Sequence, residues 1–355
     1  EGNGRFQLSP HWSIIGSGRI VTDRTFLRRY DISLDTRLRS VVQAERIDTD
    51  SYINVAGWAF QGLRLTDQDG QQPIVLPAIE ARWRLLDPIA GGRVELQANS
   101  LNILRTEGQD TQRAFASARW DRRMLTPFGQ EVTFTAFARG DVYYSSDNLL
   151  TATPSYRGES GFQGRVIAAL AADISWPFVG EFLGGTQRLT PRVQVVASPE
   201  TENLAIPNED ARAVDLEDSN LFALNRFPGH DRWEDGLRVT YGVDWALDLP
   251  GVAIRTNVGQ SYRLDDQLGI FPQGTGLSDR LSDIVGRTSV QFGTNVSVTH
   301  RFRIDKDDLS VRRNEIDAVV GSRDTYISLG YLRLDRDISV MVEDLDDREE
   351  IRVGG

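Results

Sequence analysis

The sequence predicts an all-β fold, specifically an antiparallel transmembrane β-barrel, and three features carry the prediction. From Leu237 to Leu249 every second residue is apolar, and a period of two indicates a strand with one apolar and one polar face. At ~3.3 Å per residue this strand is roughly 40 Å long. Ordinary strands have about five or six residues, whereas strands that cross a bilayer at a tilt are longer. Short and long connections also alternate along the chain, as periplasmic turns and external loops do in outer-membrane barrels.

The composition narrows the class of protein. The chain has 355 residues, a net charge of −11, 40% hydrophobic residues and no Cys. It contains no long uninterrupted apolar run, which excludes transmembrane helices, whereas barrel strands give a composition that looks soluble. The acidic balance argues against a nucleic-acid partner, which would need a basic surface. The absence of Cys excludes disulfides and thiolate metal sites.

The alternation of apolar and polar residues predicts about sixteen strands and no convincing helix. They are expected near residues 5–8, 12–22, 35–45, 52–63, 79–86, 93–104, 113–125, 130–144, 164–178, 187–197, 237–249, 252–262, 284–293, 296–305, 311–320 and 325–334. In the strand at 164–178 every even residue from Val166 to Phe178 is apolar. After Asn99 the apolar parity of the strand at 93–104 reverses, which predicts either a β-bulge at that point or a misplaced strand end.

The connections justify this division, because turn-forming Pro and Gly residues separate the strands. Short turns are expected at 9–11, 46–51, 87–92, 126–129, 180–186, 250–251, 294–295 and 321–324. Longer loops are expected at 23–33, 66–78, 106–112, 145–163, 199–236 and 265–283, with a moderate one at 306–310. A soluble β-sandwich is the alternative, but its strands are shorter and nothing makes its loop lengths alternate. The membrane barrel is therefore favoured.

In a barrel the apolar parity faces lipid and the polar parity lines a wet interior. The candidate lumen-facing charged residues are Arg139, Asp141, Arg238, Asp244, Arg301, Arg303, Glu315 and Asp317. Guanidinium groups bind phosphate well, so Arg301, Arg303, Arg312 and Arg313 are candidates to contact the phosphates of a lipid or sugar lipid. The same arginines, paired with interior acids, would equally form a structural network.

The sequence gives little indication of a catalytic or metal-binding site. The three His residues share no metal-site spacing, and Ser219 and Ser310 lack neighbouring His and Asp residues in triad order. The loop at 199–236 is rich in acids; a solvated loop is favoured over one that binds divalent cations. No catalytic residue, metal or cofactor is predicted.

Within that loop a distinctive motif appears: Asp218-Ser219-Asn220-Leu221-Phe222, Asn225-Arg226-Phe227, Gly229, Asp231-Arg232 and Gly236-Leu237-Arg238. It resembles the most characteristic segment of the lipopolysaccharide-assembly barrel family LptD, also called organic solvent tolerance protein. Weaker resemblances at 23–30, 76–80, 302–305 and 312–315 follow in the family's order. The loop residues that carry the resemblance are Asp218, Asn220, Phe222, Asn225, Arg226, Gly229, Asp231 and Arg232.

The resemblance implies a non-enzymatic function in the bacterial outer membrane. A barrel of about twenty-six strands would receive lipopolysaccharide (LPS) from a periplasmic bridge and release it into the outer leaflet, with an LptE-like lipoprotein plug in its lumen. Residues 1–355 are then expected to be a single barrel-domain fragment without the N-terminal periplasmic domain, which docks the bridge, and without some strands. The expected partners are LPS, outer-membrane lipid, the plug and the bridge. The alternative is a general outer-membrane porin or uptake channel; a barrel enzyme ranks third.

Overall fold

The computed structural model describes residues 1–212, 214–265, 270–322, 324–336 and 347–355. Parts of three predicted connections lie outside these residues: position 213 of the loop 199–236, positions 266–269 of the loop 265–283, and position 323 of the turn 321–324. The described residues form eighteen strands and four short helical turns. The prediction of an all-β fold is confirmed.

The strands are numbered in chain order. They are β1 (Gly2–Gln7), β2 (Trp12–Gly18), β3 (Arg37–Ile47), β4 (Ser51–Gly62), β5 (Ile74–Arg84), β6 (Arg93–Leu104), β7 (Asp110–Leu125), β8 (Glu131–Ser146), β9 (Gly161–Ser175), β10 (Phe178–Phe182), β11 (Gly185–Ser198), β12 (Gly236–Leu249), β13 (Val252–Arg263), β14 (Ile284–Phe292), β15 (Val296–Ile304), β16 (Val311–Gly321), β17 (Tyr326–Leu334) and β18 (Arg348–Gly354).

The helical turns are short. Two are α-helical, Phe26–Arg29 and Pro154–Arg157, and two are 3₁₀ turns, Asp69–Gln71 and Asn148–Leu150. Across the part of the chain that the structure describes, no helix has the length and apolar character needed to span a membrane.

The chain divides into two compact units, and the division falls within β7, β8 and β9. The first unit comprises residues 1–121, 137–168 and 204–208, and the second comprises 122–136, 169–203 and 209–355. In the first unit each strand from β1 to β6 pairs antiparallel with the next. In the second unit β11 pairs antiparallel with β9, β10 and β12, and each strand from β12 to β17 pairs with the next.

Burial along the strands is inverted relative to a soluble sheet. In β9 the apolar Val166 is 80% exposed, whereas the neighbouring Arg165 is buried. In β8 Val142 and Tyr144 are exposed, while Asp141 is buried. Since side chains alternate between the two faces of a strand, these strands have an exposed apolar face and a buried face that carries charge, which we call the polar face.

Two strands were not predicted. The region 180–186, expected to be a short turn, instead forms a hairpin in which β10 pairs with β11 around Leu183 and Gly184. Both turn residues have positive φ, 50° and 77°, as the primed hairpin turns require. Leu rarely adopts this conformation, so its sequence gives no hairpin signal. The other missed strand is β18, which follows a stretch outside the described residues and pairs with β17.

Of the two alternatives predicted for the parity reversal after Asn99, a β-bulge in β6 and a misplaced strand end, the pairing of β6 with β7 shows no bulge. β6 pairs with β7 without interruption from Arg93 to Ile103. The irregularity lies in the neighbouring strand β5, between Val75 and Ala78. Pro77 falls inside this irregularity, where a residue without a backbone N–H donor is tolerated in a sheet.

Candidate functional site

The candidate site is formed by the second half of the long loop, residues 209–235, together with the polar face of β12 to β16. The expectation of a solvated loop is wrong, because this segment has a hydrophobic core. Phe227 stacks on Phe271 with ring centroids 4.4 Å apart. The buried cluster consists of Ala211, Val214, Leu216, Leu221, Phe227, Phe271, Leu277 and Val285.

A pair of aspartates folds the segment back on itself. The Asp210 carboxylate accepts hydrogen bonds from the backbone N–H groups of His230 (2.9 Å) and Asp231 (3.0 Å). The Asp231 carboxylate accepts from those of Glu209 (2.7 Å) and Asp210 (3.0 Å). Gly229, directly before His230, has a φ of +66°, and a Cβ on it would come within 2.4 Å of the Asp210 side chain. Only Gly meets both conditions without strain.

Two asparagines of the motif brace the backbone in the same way. Asn225 accepts a hydrogen bond from Glu234 N (2.9 Å) and donates one to the carbonyl oxygen of Arg232 (3.0 Å). Asn220 accepts from Glu217 N (2.9 Å) and donates to the carbonyl oxygen of Asp215 (2.7 Å). These bonds fix the directions in which the Glu234 and Asp215 side chains leave the segment.

Glycines on the strands let the segment approach closely. Gly242 of β12 lies opposite Gly259 of β13. A Cβ on Gly259 would lie 2.5 Å from Leu221 Cδ2, and one on Gly242 would lie 3.4 Å from Phe222 Cζ. The Arg192 guanidinium lies over the Phe222 ring, 4.1 Å from its centroid, within the range of a cation–π contact.

The strand register places arginines directly opposite each other. Arg238 of β12 pairs with Arg263 of β13, Arg287 of β14 with Arg301 of β15, and Arg303 of β15 with Arg313 of β16. Like charges in directly opposed positions destabilise a sheet. Burial increases that repulsion, because the local dielectric constant is lower than in water. Each pair therefore requires an anion.

Glu234 of the segment supplies a counter-charge that both arginines of the first pair share, and Arg263 also lies 3.4 Å from the Asp265 carboxylate. The Glu234 carboxylate lies 3.7 Å from Arg238 Nη1 and 3.7 Å from Arg263 Nη1. It also accepts hydrogen bonds from Arg226, from Nε at 2.7 Å and from Nη2. Complete burial opposes ionisation of Glu234, but the three guanidinium groups outweigh it and lower the pKa of this carboxyl to about 2.

Asp215 of the segment supplies a counter-charge that both arginines of the third pair share, and the Asp283 carboxylate lies 3.5 Å from Arg303 Nε. The Asp215 carboxylate accepts a hydrogen bond from Arg303 Nη1 and one from Arg313 Nη1 at 3.4 Å. Arg303, which is 0% exposed, also donates from Nη2 to the carbonyl oxygen of Gly274 (2.8 Å). Arg313 donates to Glu217 of the segment and to Glu315 of its own strand, both at 2.7 Å.

The two arginines of the middle pair, Arg287 and Arg301, contact different acids. Arg287 Nε lies 3.5 Å from the Asp218 carboxylate of the segment. Arg301, opposite it, bonds to Glu315 (3.0 Å) and Asp317 (3.1 Å) of β16. In total five consecutive strands each contribute one arginine paired with an acid of the segment. The arginines are Arg238, Arg263, Arg287, Arg303 and Arg313, and the acids are Asp215, Glu217, Asp218, Glu234 and Asp235.

The remaining candidates lie elsewhere. In the first unit Arg139 donates to Asp141 from both Nε and Nη2 at 2.7 Å, and Arg165 donates to the same carboxylate at 2.6 Å. All three side chains are buried. Asp244 is exposed on β12. Arg263 and Arg287 are not among the residues that the sequence predicted to face the lumen, although both have the parity of the polar face. Only the strand register shows that they lie opposite other arginines.

The arrangement can bind oxyanions, since paired guanidinium groups are suited to carboxylate and phosphate. Within the described ranges no group of His or acidic side chains is arranged to hold a metal ion.

Comparison with known proteins finds one family that matches almost the whole chain. A family profile, LptD (LPS transport system D), matches residues 1–353. An LPS-assembly protein LptD from Polaromonas sp. is 30% identical over 64% of this chain and 29% of its own length. One from Hahella chejuensis is 25% identical over 78% of this chain and 36% of its own length. The chain therefore spans about a third of the curated relatives that it matches.

Proposed function

The chain belongs to the LptD family, and from that premise we propose that it forms part of an outer-membrane β-barrel that inserts LPS into the outer leaflet. Residues 1–355 contribute strands to one barrel domain. The substrate is LPS, whose phosphorylated head groups pass along the polar face while its acyl chains remain with membrane lipid. The matched relatives are named as assembly proteins, and we assign no catalytic step to this chain.

The inverted burial of the strands supports this proposal most directly. Val166 and Leu170 of β9 are 80% and 65% exposed, whereas Arg165 is buried. An exposed apolar face is unfavourable in water but favourable in hydrocarbon, where each methylene group gains about 0.8 kcal/mol over water. A polar face that is sealed from hydrocarbon matches the wet interior of an outer-membrane barrel.

The proposal includes partners and inward residues. An LptE-like lipoprotein would occupy the lumen, and a periplasmic bridge would deliver LPS through an N-terminal domain of the family. The inward charges proposed to face the substrate path are Arg139, Asp141, Arg238, Asp244, Arg301, Arg303, Glu315 and Asp317. Arg301 and Arg303 are the proposed contacts for phosphate, because β15 carries both on its polar face.

A strain in which the gene for this protein can be depleted tests the function. Depletion is expected to remove newly made LPS from the cell surface, measured by a surface-restricted antibody, and to leave it in the inner membrane. Complementation with the unaltered gene should restore export, and a gene that carries Arg301→Glu and Arg303→Glu together should not. If depletion leaves surface LPS unchanged while the purified protein conducts ions in planar bilayers, the channel alternative replaces this proposal.

A further inference from the structure

We propose that the opposed pairs Arg238/Arg263 and Arg303/Arg313 are binding sites for the phosphate groups of an anionic lipid, and that Glu234 and Asp215 occupy them as internal stand-ins for phosphate. This inference rests on the proposed function and adds a regulatory element to it. Segment 209–235 then acts as a closed latch that phosphate can replace at the two arginine pairs.

The first argument is the opposition of like charges. Both pairs are opposed in the strand register, and Arg238 and Arg303 are 1% and 0% exposed. A sheet built only for stability gains nothing from two buried arginines in opposed positions, because hydrophobic residues of similar volume are often as stable. Two converging guanidinium groups are, in contrast, well suited to bind an oxyanion.

The second argument is that a carboxylate leaves donors unused. Among the described residues, buried nitrogens without a hydrogen-bond partner include Arg226 Nη1, Arg238 Nε, Arg238 Nη1 and Arg263 Nε near Glu234. Near Asp215 they include Arg313 Nε and Arg303 Nε, of which Arg303 Nε also lies 3.5 Å from the Asp283 carboxylate. Unused buried donors are costly. A phosphate group has three acceptor oxygens where a carboxylate has two, so phosphate uses more of these donors.

The third argument is that the anion comes from outside the sheet. The strand arginines are fixed by the ladders from β12 to β16, whereas Glu234 and Asp215 belong to a loop segment in which the described residues form no strand. The segment also supplies Glu217, Asp218 and Asp235 to the same face. Exchange of these carboxylates for lipid phosphate would replace one anion at each arginine pair with another.

The test compares phosphate with chloride at equal ionic strength, using the full protein expressed from its native gene and purified in detergent. In the Asp215→Asn variant the third pair loses the counter-charge that its arginines share and should bind inorganic phosphate, so phosphate should raise the thermal midpoint by about 2–4 °C relative to chloride. The unaltered protein should show no such difference. The matched control is Asp248→Asn, which breaks an exposed one-to-one pair with Arg255 and should also show none.

A second arm distinguishes lipid from free phosphate. Micelles containing phosphorylated lipid A should stabilise Asp215→Asn more than micelles with dephosphorylated lipid A. Stabilisation by inorganic phosphate alone would overturn the lipid assignment. The double variant Asp215→Asn/Arg303→Gln, with one guanidinium removed, should fold in chloride and lose the phosphate effect.

If Asp215→Asn folds only in phosphate, the rescue supports the proposal. If neither Asp215→Asn nor Glu234→Gln responds to phosphate, or neither folds in either anion, the proposal is overturned. That result would leave the proposed function intact, since depletion of the unaltered protein tests the function separately.

Discussion

Glu234→Gln is the substitution whose effect the structure fixes best. Glu234 is fully buried among Arg226, Arg238 and Arg263, and Gln preserves its shape while removing its charge. The pKa of Glu234 falls from an ordinary 4.5 to about 2. At about 1.4 kcal/mol per pKa unit, the ionised carboxylate contributes about 3 kcal/mol at neutral pH. This agrees with the 3–5 kcal/mol that follows loss of one partner from a buried ion pair.

Trypsin cleavage after Arg226 and after Arg232, measured separately from cleavage after the exposed Arg212, provides the assay. Arg226 and Arg232 are buried, so cleavage after either requires the segment to open. When reclosing is faster than cleavage, the cleavage rate follows the open population. A loss of about 3 kcal/mol should therefore speed cleavage about a hundredfold.

The control variant is Asp248→Asn, which breaks an exposed pair with Arg255. Exposed pairs contribute at most about 1 kcal/mol, so cleavage should change by less than about fivefold. If Glu234→Gln speeds cleavage no more than Asp248→Asn does, the clamp around Glu234 contributes nothing and the reasoning is refuted.

Three further predictions follow from the same structure. The pKa of Glu234 is lowered, so the stability that its carboxylate contributes is present above pH 4.5 and is lost as pH falls through about 2. The difference in thermal midpoint between the unaltered protein and Glu234→Gln should therefore shrink over that range. A difference that stays constant would contradict this prediction. Gly229→Ala should destabilise the segment by about 1–3 kcal/mol because of its positive φ and the close Asp210 carboxylate, measured by trypsin cleavage, whereas Gly180→Ala, with open space around it, should not. Val166→Arg on the exposed apolar face should cost about 2–4 kcal/mol if that position lies near the bilayer midplane, seen as less folded protein in outer-membrane fractions; an unchanged yield would count against lipid contact there.

The sequence by itself determined the fold class, because side chains in a strand alternate between its two faces, and this alternation is visible as a period of two in the sequence. It also placed Arg238, Arg301 and Arg303 on the polar parity, and the motif from Asp218 to Arg232 identified the family. It placed a turn at 180–186 but missed the short strand β10, which overlaps that range, since a two-residue loop of Leu183 and Gly184 carries no usual hairpin signal.

Only the tertiary structure decided what the acids of the long loop do. Taken alone, a run of acids indicates solvation, and nothing in residue order shows that Arg238 opposes Arg263 or that Arg303 opposes Arg313. Opposition depends on strand register, and register depends on turns and neighbouring strands far apart in sequence. Once the register is fixed, five arginines converge on one face. The free energy of that face then favours burial of the acidic segment, although its composition favours water.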